Sequence, residues 1–593
     1  MQSKILSRRD LDFLLFEWLD AESLTARSRF ADHSRETFGA VLDTAEQIAT
    51  DLFAPHNKKS DSNEPRIEGD AVVIIPEVKK ALDAFAEAGL LAAGQDYEMG
   101  GMQLPSVVEK AAIAWFTAAN VSTSAYIFLT MANANTLLKT ATPQQVEQYV
   151  KPMLAGEFFG TMCLSEPQAG SSLSDIVTRA EPDGEGQYRL TGNKMWISAG
   201  EHDLAKNIVH LVLAKIPGPD GTLIPGVKGI SLFIVPKFLP DGGRNDVVLA
   251  GLNHKMGNRG TTNCLLNFGE GKFRPQGRAG AIGYLVGEPH KGLACMFHMM
   301  NEARIGVGLG AAVLGVTGYL HSLDYARSRP QGRHPAEKDP AKPQLPIIEH
   351  TDVRRMLLAQ KAYTEGALAL VLYCARLVDE QHSAEAEDDR RHAGQLLDFL
   401  TPIAKSWPSQ WCVEANSVAI QVHGGYGYTR EYNVEQFYRD NRLNAIHEGT
   451  HGIHGLDLLG RKVSIQDGAL FRAVGTEIAK TIAAARDRFP DYAEQLEHTW
   501  RRIAEVTATL YAAGDMNKTL ANASVYLEAV GHTIVAWIWL EQAMAAGQDQ
   551  DFYRGKLQAC RYFFKWELPK VAPQLDLLAS IDTTTLDMRD PWF

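Results

Sequence analysis

Cysteine is scarce in this chain, and what there is does not pair. Cys163, Cys264, Cys295, Cys374, Cys412 and Cys560 are scattered through 593 residues without a C-x-x-C spacing. That excludes a disulfide scaffold and a zinc ribbon, and reads as reduced, mostly buried thiols. Long blocks of one charge are missing too. A formal net charge of −12, with 22% charged residues, argues against a nucleic-acid surface and against an anionic membrane surface. A local cluster of Arg or Lys can still hold a phosphorylated substrate on such a protein. No run of eighteen apolar residues occurs, so no membrane span is expected. The opening MQSKILSRRDLDFLLFEWLD lacks the apolar core and small-residue cleavage site of a signal peptide, which makes the cytoplasm the expected location.

Apolar residues make up 45% of the chain, ample for a buried core, and the length implies three or four structural units. Residues 1–158 read as helical: Thr37–Leu52, Ile75–Leu91 and Ser106–Leu138 carry apolar residues at three-to-four spacing. Over 159–285 the texture changes. Short β-branched runs such as Ile208–Leu213 and Ile230–Val235 alternate with the turns PDGEG, PGPDG and PDGG, an inserted β domain. Helical texture returns over 286–462 in four segments, Ala294–Ser328, Thr351–Gln381, Gly394–Val422 and Tyr432–Asn444, which suggest a four-helix bundle. Five prolines between Arg329 and His350 break it with a loop. Further helices fill 463–593. The expected fold is mainly α, with an N-terminal helical domain, a β-barrel-like middle domain, a four-helix bundle and an extra C-terminal helical domain.

Four segments stand out. In MCLSEPQAGSSLSD (162–175) a Glu-Pro turn precedes small residues that let a ligand approach the backbone. In TGNKMWISAG (191–200) the period-two alternation puts Trp196 and Ser198 on one strand face, where an indole can cover a flat ring and a hydroxyl can reach its edge. IQVHGGYGYTREYNVEQFYRDNRLNAIHEGTHGI (420–453) ends one helix at Gly424-Gly425 and places Glu448 and Gly449 in a later interhelical loop. A carboxylate there, if apolar surroundings raise its pKa, is a competent general base. HKMGNRGTTNCLLNF (254–268) is a Gly-punctuated approach to a strand. Taken singly, each has a plainer reading: surface turn, core tryptophan, solvated glutamate, edge strand.

In this order and at these separations the segments resemble the acyl-CoA dehydrogenase family, over roughly 75–462. DYEMGGMQLP (96–105), TPQQVEQYVKPMLAGEFFGTMCLSEP (142–167), MNEARIGVGLGAAVLG (300–315) and DYARSRPQGR (324–333) match in register. The N-terminal SRRDLDFLLFE and the long C-terminal extension resemble a longer bacterial branch, which includes broad-range fatty acyl-CoA and 3-methylmercaptopropionyl-CoA dehydrogenases.

The resemblance implies FAD as cofactor, and a glutamate that takes the α-proton of an acyl-CoA while the β-hydrogen leaves as hydride to the flavin. Here that glutamate is Glu448. The alternative family position on a bundle helix, just before Arg304, holds Ala303, with Glu302 one residue out of step. The resemblance carries Met162, Leu164, Ser165, Gly170, Ser171, Trp196, Ser198 and Thr450 onto the flavin and phosphates. It also sends Arg329, Gln421 and Gly425 to the FAD of a neighbouring subunit, implying at least a dimer. Ser171, Asn301, Arg304, Glu448 and Gly449 fall beside the substrate, and an electron-transfer flavoprotein is the implied partner. Departures are the missing aromatic after Arg329, Gln168 for a common Gly, Asn301 for a frequent Asp, and His447 for the usual Tyr. The expected reaction is oxidation of a straight medium- or long-chain acyl-CoA to the trans-2-enoyl-CoA. 3-Methylmercaptopropionyl-CoA is the same-chemistry alternative, and an oxidase a more distant one. A flavin-bearing DNA-binding protein would need a basic face. Residues 461–593 hold 15 Lys plus Arg against 17 Asp plus Glu, so no such face is expected.

Overall fold

The computed structural model describes residues 3–69, 71–184, 186–547 and 550–593, without the side chains of 297–300. It is mainly helical, with a β-rich middle domain and an additional helical region at the C-terminus, as expected. Its contacts divide the chain into two compact units, one of Gly39–Leu104 with Trp115–Ala303, the other of Met1–Phe38, Pro105–Ala114 and Arg304–Phe593. The first 38 residues thus cluster with the bundle and not with the N-terminal helices that the sequence pattern assigns them to.

In the first unit a short ribbon, β1 (Arg66–Glu68) and β2 (Ala71–Val73), precedes the main sheet. The sheet comprises β3 (Phe158–Cys163), β4 (Arg179–Pro182), β5 (Gln187–Ser198), β6 (Asn207–Lys215), β7 (Ile230–Pro236), β8 (Val247–Leu252), β9 (Asn263–Phe268) and β10 (Ala281–Val286). Their order is β10-β7-β6-β4-β5-β9-β8, with β3 beside β6, and a second pairing of β10 with β5 closes a ring of strands. The barrel-like reading holds.

Both faces of β6 and β7 are buried, and period-two alternation divides their side chains between two cores. Val209, Leu211, Leu213, Leu232 and Ile234 meet Leu137, Tyr149 and Met153. Val212, Ala214, Phe233 and Val235 point the other way, toward Leu190, Leu266 and Phe268. The helix Val121–Thr140 sits hard against β3. Asn133 donates to the carbonyls of Thr161 and Val209 at 3.1 and 2.8 Å. A Cβ at Gly160 would lie 2.6 Å from that of Asn133, so only glycine permits this approach.

The second unit holds the long helices. We label α1 (Gly292–Ser328, which enters this unit at Arg304), α2 (Thr351–Ser383), α3 (Glu387–His423), α4 (Val434–Arg442), α5 (His451–Asp457) and α6 (Ala523–Ala545). α3 is longer than its sequence pattern suggested and carries Pro402 and Pro408 in its interior. α6, from the C-terminal extension, packs on the bundle: Trp539 Nε1 donates to the Ala362 carbonyl at 3.0 Å, and Trp407 Nε1 to His532 Nδ1 at 3.3 Å. Lys556 is fully buried between Asp10 and Glu365, so N-terminal segment, bundle and extension share one ion cluster. The segments Asn301–Ser328 and Ala523–Ala545 are long and apolar enough to cross a membrane, but 94% and 83% of their apolar windows are buried inside the protein. Their hydrophobicity serves the core.

Candidate active site

The turn 446–450 leaves a short 3-10 segment and feeds α5. Glu448 has φ 54° and Gly449 φ 100°. A non-glycine residue in the left-handed region costs on the order of 1–3 kcal/mol and persists only where its surroundings impose it. Those surroundings are two consecutive residues of α3. Lys405 Nζ donates to the Gly449 carbonyl, and Ser406 Oγ bonds His451 Nδ1. From the other side His447 Nε2 meets Asn444 Oδ1 at 3.0 Å. Asn444 is joined through Asn441 to Asn416 and to the carbonyls of Ala311 and Leu314. A chain of buried amides therefore ties the turn to α4, α3 and α1.

The Glu448 carboxyl has no hydrogen-bond partner among the described residues, and its backbone N–H meets no backbone carbonyl there. Burial pushes its pKa up, opposed by the positive charges of Lys405 and then Arg304. The surrounding imidazoles supply no charge. Burial first, then neighbouring cations, pull His447 and His454 down to about 3 and His451 to about 4. Burial likewise draws Lys405 down to about 7. His454 lies against the turn with neither ring nitrogen hydrogen-bonded, and Gly449 exists for it: a Cβ there would fall 2.8 Å from His454 Nε2. Gly449→Ala is therefore expected to lose about 1–3 kcal/mol of local stability, seen as a lower melting temperature with the protein still folded by circular dichroism.

Arg304, buried on α1, is engaged by Asp457 at 3.0 Å, leaving Nε without a partner. Asp457 is shared with Arg461 at 2.9 Å. Glu302, the out-of-step carboxylate, is taken up in the other unit by Asn135 and Lys139 at 3.0 and 3.2 Å. Asn301 is half-buried on the same helix.

A second cluster lies in the β unit. Met162, Leu164, Ser165, Gly170 and Ser171 run from β3 into the following turn. Ser165 accepts from Met195 N at 3.0 Å, which brings that turn beside Trp196. The pairing of β5 with β9 slips between Lys194 and Ile197. Within this bulge Trp196 has φ 66° and stands 60% exposed, a bulky outlier whose flat indole contributes little to the core. Ile197 is buried between Trp196 and the half-buried Ser198, so the expected alternation survives but is displaced by the bulge. Sequence reading missed what holds the turn. Glu166 accepts from the amides of Val177 and Thr178 at 2.7 and 3.0 Å and from Lys194 Nζ at 2.9 Å, the ion pair being essentially inaccessible. Lys194 also reaches the Leu164 carbonyl at 3.0 Å.

A third group, back in the helical unit, surrounds a cavity of about 560 Å³ lined by Arg329, Gly424, Gly425, Tyr426, Tyr325 and His423, among others. Gln421 is exposed nearby on the last turn of α3. The aromatic expected after Arg329 is absent, but Tyr426 presents its ring 5.3 Å from the Arg329 guanidinium. Thr450 occupies the N-cap position of α5, two residues after Glu448, with no side-chain capping bond.

Family models for the acyl-CoA dehydrogenase N-terminal, middle and C-terminal domains match residues 36–157, 161–270 and 290–463, and an acetyl-CoA dehydrogenase C-terminal-like model matches 474–589. The chain belongs to the acyl-CoA dehydrogenase family. It is therefore an enzyme of the oxidoreductase class. Among this family, the chain is 35% identical to the 3-methylmercaptopropionyl-CoA dehydrogenase of Ruegeria pomeroyi, over 94% of both chains. It is 32% identical to the broad-specificity linear acyl-CoA dehydrogenase FadE5 of Mycobacterium tuberculosis, over 99% of both. The fold is also that of an acyl-CoA dehydrogenase from Bacillus anthracis crystallised with FAD, at TM-score 0.72 and 21% identity over 98% of this chain and 93% of that one.

Proposed function

We propose that this acyl-CoA dehydrogenase family member oxidises the Cα–Cβ bond of a straight medium- to long-chain acyl-CoA, with FAD as cofactor and Glu448 as the base. The observation that carries this reading is an unpartnered, half-buried carboxylate on a strained turn that two residues of α3 hold in place. Residues present suit the cofactor: an exposed indole on a bulge beside Ser165 and Ser198, and an Arg–Tyr cavity with a Gly-Gly edge. Bound FAD supplies the hydride acceptor. Met162, Leu164, Ser165, Gly170, Ser171, Trp196, Ser198 and Thr450 are its proposed contacts. Arg329, Gln421 and Gly425 are assigned to the FAD of a second subunit, with Tyr426 in place of the missing aromatic.

The chain's own chemistry is proton removal. The Glu448 carboxylate takes the α-proton, and its free N–H is a donor suited to polarising the thioester carbonyl, which acidifies that proton. Asn301, Arg304 and Ser171 are the proposed neighbours of the CoA arm; Arg304 would act there through its unpartnered Nε, since Asp457 holds its Nη1. An electron-transfer flavoprotein is the proposed electron acceptor.

The relative from Ruegeria supports a second substrate, 3-methylmercaptopropionyl-CoA, and the mycobacterial one supports a linear acyl chain. Anaerobic titration of the yellow protein with octanoyl-, palmitoyl- and 3-methylmercaptopropionyl-CoA separates them. The first two are expected to bleach the flavin fastest. Faster bleaching by the thioether substrate would transfer the assignment to it, and no bleaching by any thioester would overturn the proposed reaction.

A further inference from the structure

Lys405 is an expensive residue to place where it is. It lies fully buried in the middle of α3, and a desolvated ammonium is costly unless a carboxylate compensates it. None is within ion-pair distance among the described residues: its one bond goes to the neutral Gly449 carbonyl. The other buried cations nearby are accounted for. Arg304 is held by Asp457, which also binds Arg461, and Lys462 by Asp398. Of the carboxylates Glu448, Asp457 and Asp398, Glu448 alone has no hydrogen-bond or ion-pair partner among the described residues. A bond to Gly449 alone could be made by an uncharged amide, so the backbone contact does not explain why this position carries a charge.

Resting on the reading of Glu448 as base, we infer that Lys405 is its positioning residue: bonded to the Gly449 carbonyl, it fixes the turn that presents the carboxylate and sets a positive charge behind it. The groups that face this pair are Arg304 from α1, His447 from the turn, and His451, His454 and Asp457 from α5. The three histidines lie well below neutrality and Asp457 is engaged, which leaves Arg304 and the protonated form of Lys405, itself drawn down to about 7, as the cations that favour the ionised base. When Glu448 takes the substrate proton it becomes neutral and that favourable interaction ends. The same charge that keeps the base ready therefore also opposes its protonation, a balance that a neutral residue cannot supply.

The experiment is the pH profile of anaerobic flavin reduction by octanoyl-CoA, by stopped flow, for wild-type holoenzyme, Lys405→Gln, Lys405→Arg and Lys405→Met. Removing the positive charge raises the pH at which Glu448 deprotonates, so the acidic limb of the profile should move up by about one pH unit or more in the Gln and Met variants. Lys405→Arg, which keeps the charge, should restore the limb toward its wild-type position even with a lower plateau. FAD absorbance and thermal melts establish that each variant is folded and loaded. If the Met variant does not fold, the Gln and Arg pair carries the comparison. A limb that stays in place in the uncharged variants, whatever the plateau, overturns the inference and leaves Lys405 a structural bond. Glu448→Gln in the same assay separates this from failure of the base assignment: full activity there removes the base, whereas an inactive Glu448→Gln with an unmoved Lys405→Gln limb removes only Lys405.

Discussion

Glu448→Gln is expected to bind FAD and acyl-CoA as before but to reduce the flavin at least about 10³-fold more slowly. Glutamine preserves shape and volume, and its amide cannot accept the α-proton. Because the native carboxyl has no hydrogen-bond partner among the described residues, the substitution breaks no bond that holds the turn. A falling rate can therefore be read as lost chemistry and not as lost structure. The check is rapid-mixing flavin bleaching with octanoyl-CoA, together with a melt and a flavin spectrum. Wild-type bleaching in this variant would remove Glu448 from the mechanism.

Lys194→Met should have the largest effect on stability. It strips the cation from an inaccessible pair and leaves Glu166 charged and buried, with only the amides of Val177 and Thr178 and the Gln168 side chain as donors. Breaking one half of a buried pair costs about 3–5 kcal/mol. In the intact protein burial is the largest single effect on Glu166, but the Lys194 charge and the hydrogen bonds from Thr178, Val177 and Lys194 together outweigh it and hold the carboxyl below its ordinary range. That depressed value also fixes the sign with pH. A lowered carboxylate pKa contributes stability above the ordinary Glu range, and this is lost as pH falls through the folded value. The contribution should be present at neutrality in wild type and diminished in Lys194→Met, where only the two amides and Gln168 still hold the carboxylate. Because Lys194 also holds the Leu164 carbonyl, FAD retention on gel filtration should fall with the melting temperature. A variant that melts like wild type would show that the pair contributes nothing net. The double variant Lys194→Met/Glu166→Leu should recover part of the loss, because no charge is then stranded.

Much of the fold was legible because local patterns and tertiary demands agree. β6 and β7 read as β-branched runs between turn residues, and the ring of strands uses them with both faces buried. The long helices were legible from their spacing, but the placement of residues 1–38 with the bundle was not. The contacts that decide it, such as Asp10 to Lys556, join positions over five hundred residues apart. The reading of α3 as one helix over Gly394–Val422 ran through Pro402 and Pro408, as the structure does; what it missed is the polar opening from Glu387, where apolar spacing gives no signal.

The candidate site divides the same way. The residues His447-Glu448-Gly449-Thr450 and the turn at 162–175 stand out in the sequence because small residues and a glutamate fall in a motif. Lys405 and Lys194 do not: a lysine inside a helix or a strand looks like a solvated surface residue until its neighbours are known. The bulge at Trp196 was hidden for a related reason, since alternation in sequence cannot show that one residue has slipped in register.

What the sequence determined by itself is the order of the elements, the family and the carboxylate to which the chemistry is assigned, all of which depend on neighbours along the chain. Tertiary structure alone decided that this carboxylate sits on a strained turn, has no hydrogen-bond partner among the described residues, and feels a buried lysine from a helix position 43 residues earlier. Burial and charge proximity are properties of space, and the desolvation that tunes an ionisable group exists only once distant segments have excluded water together.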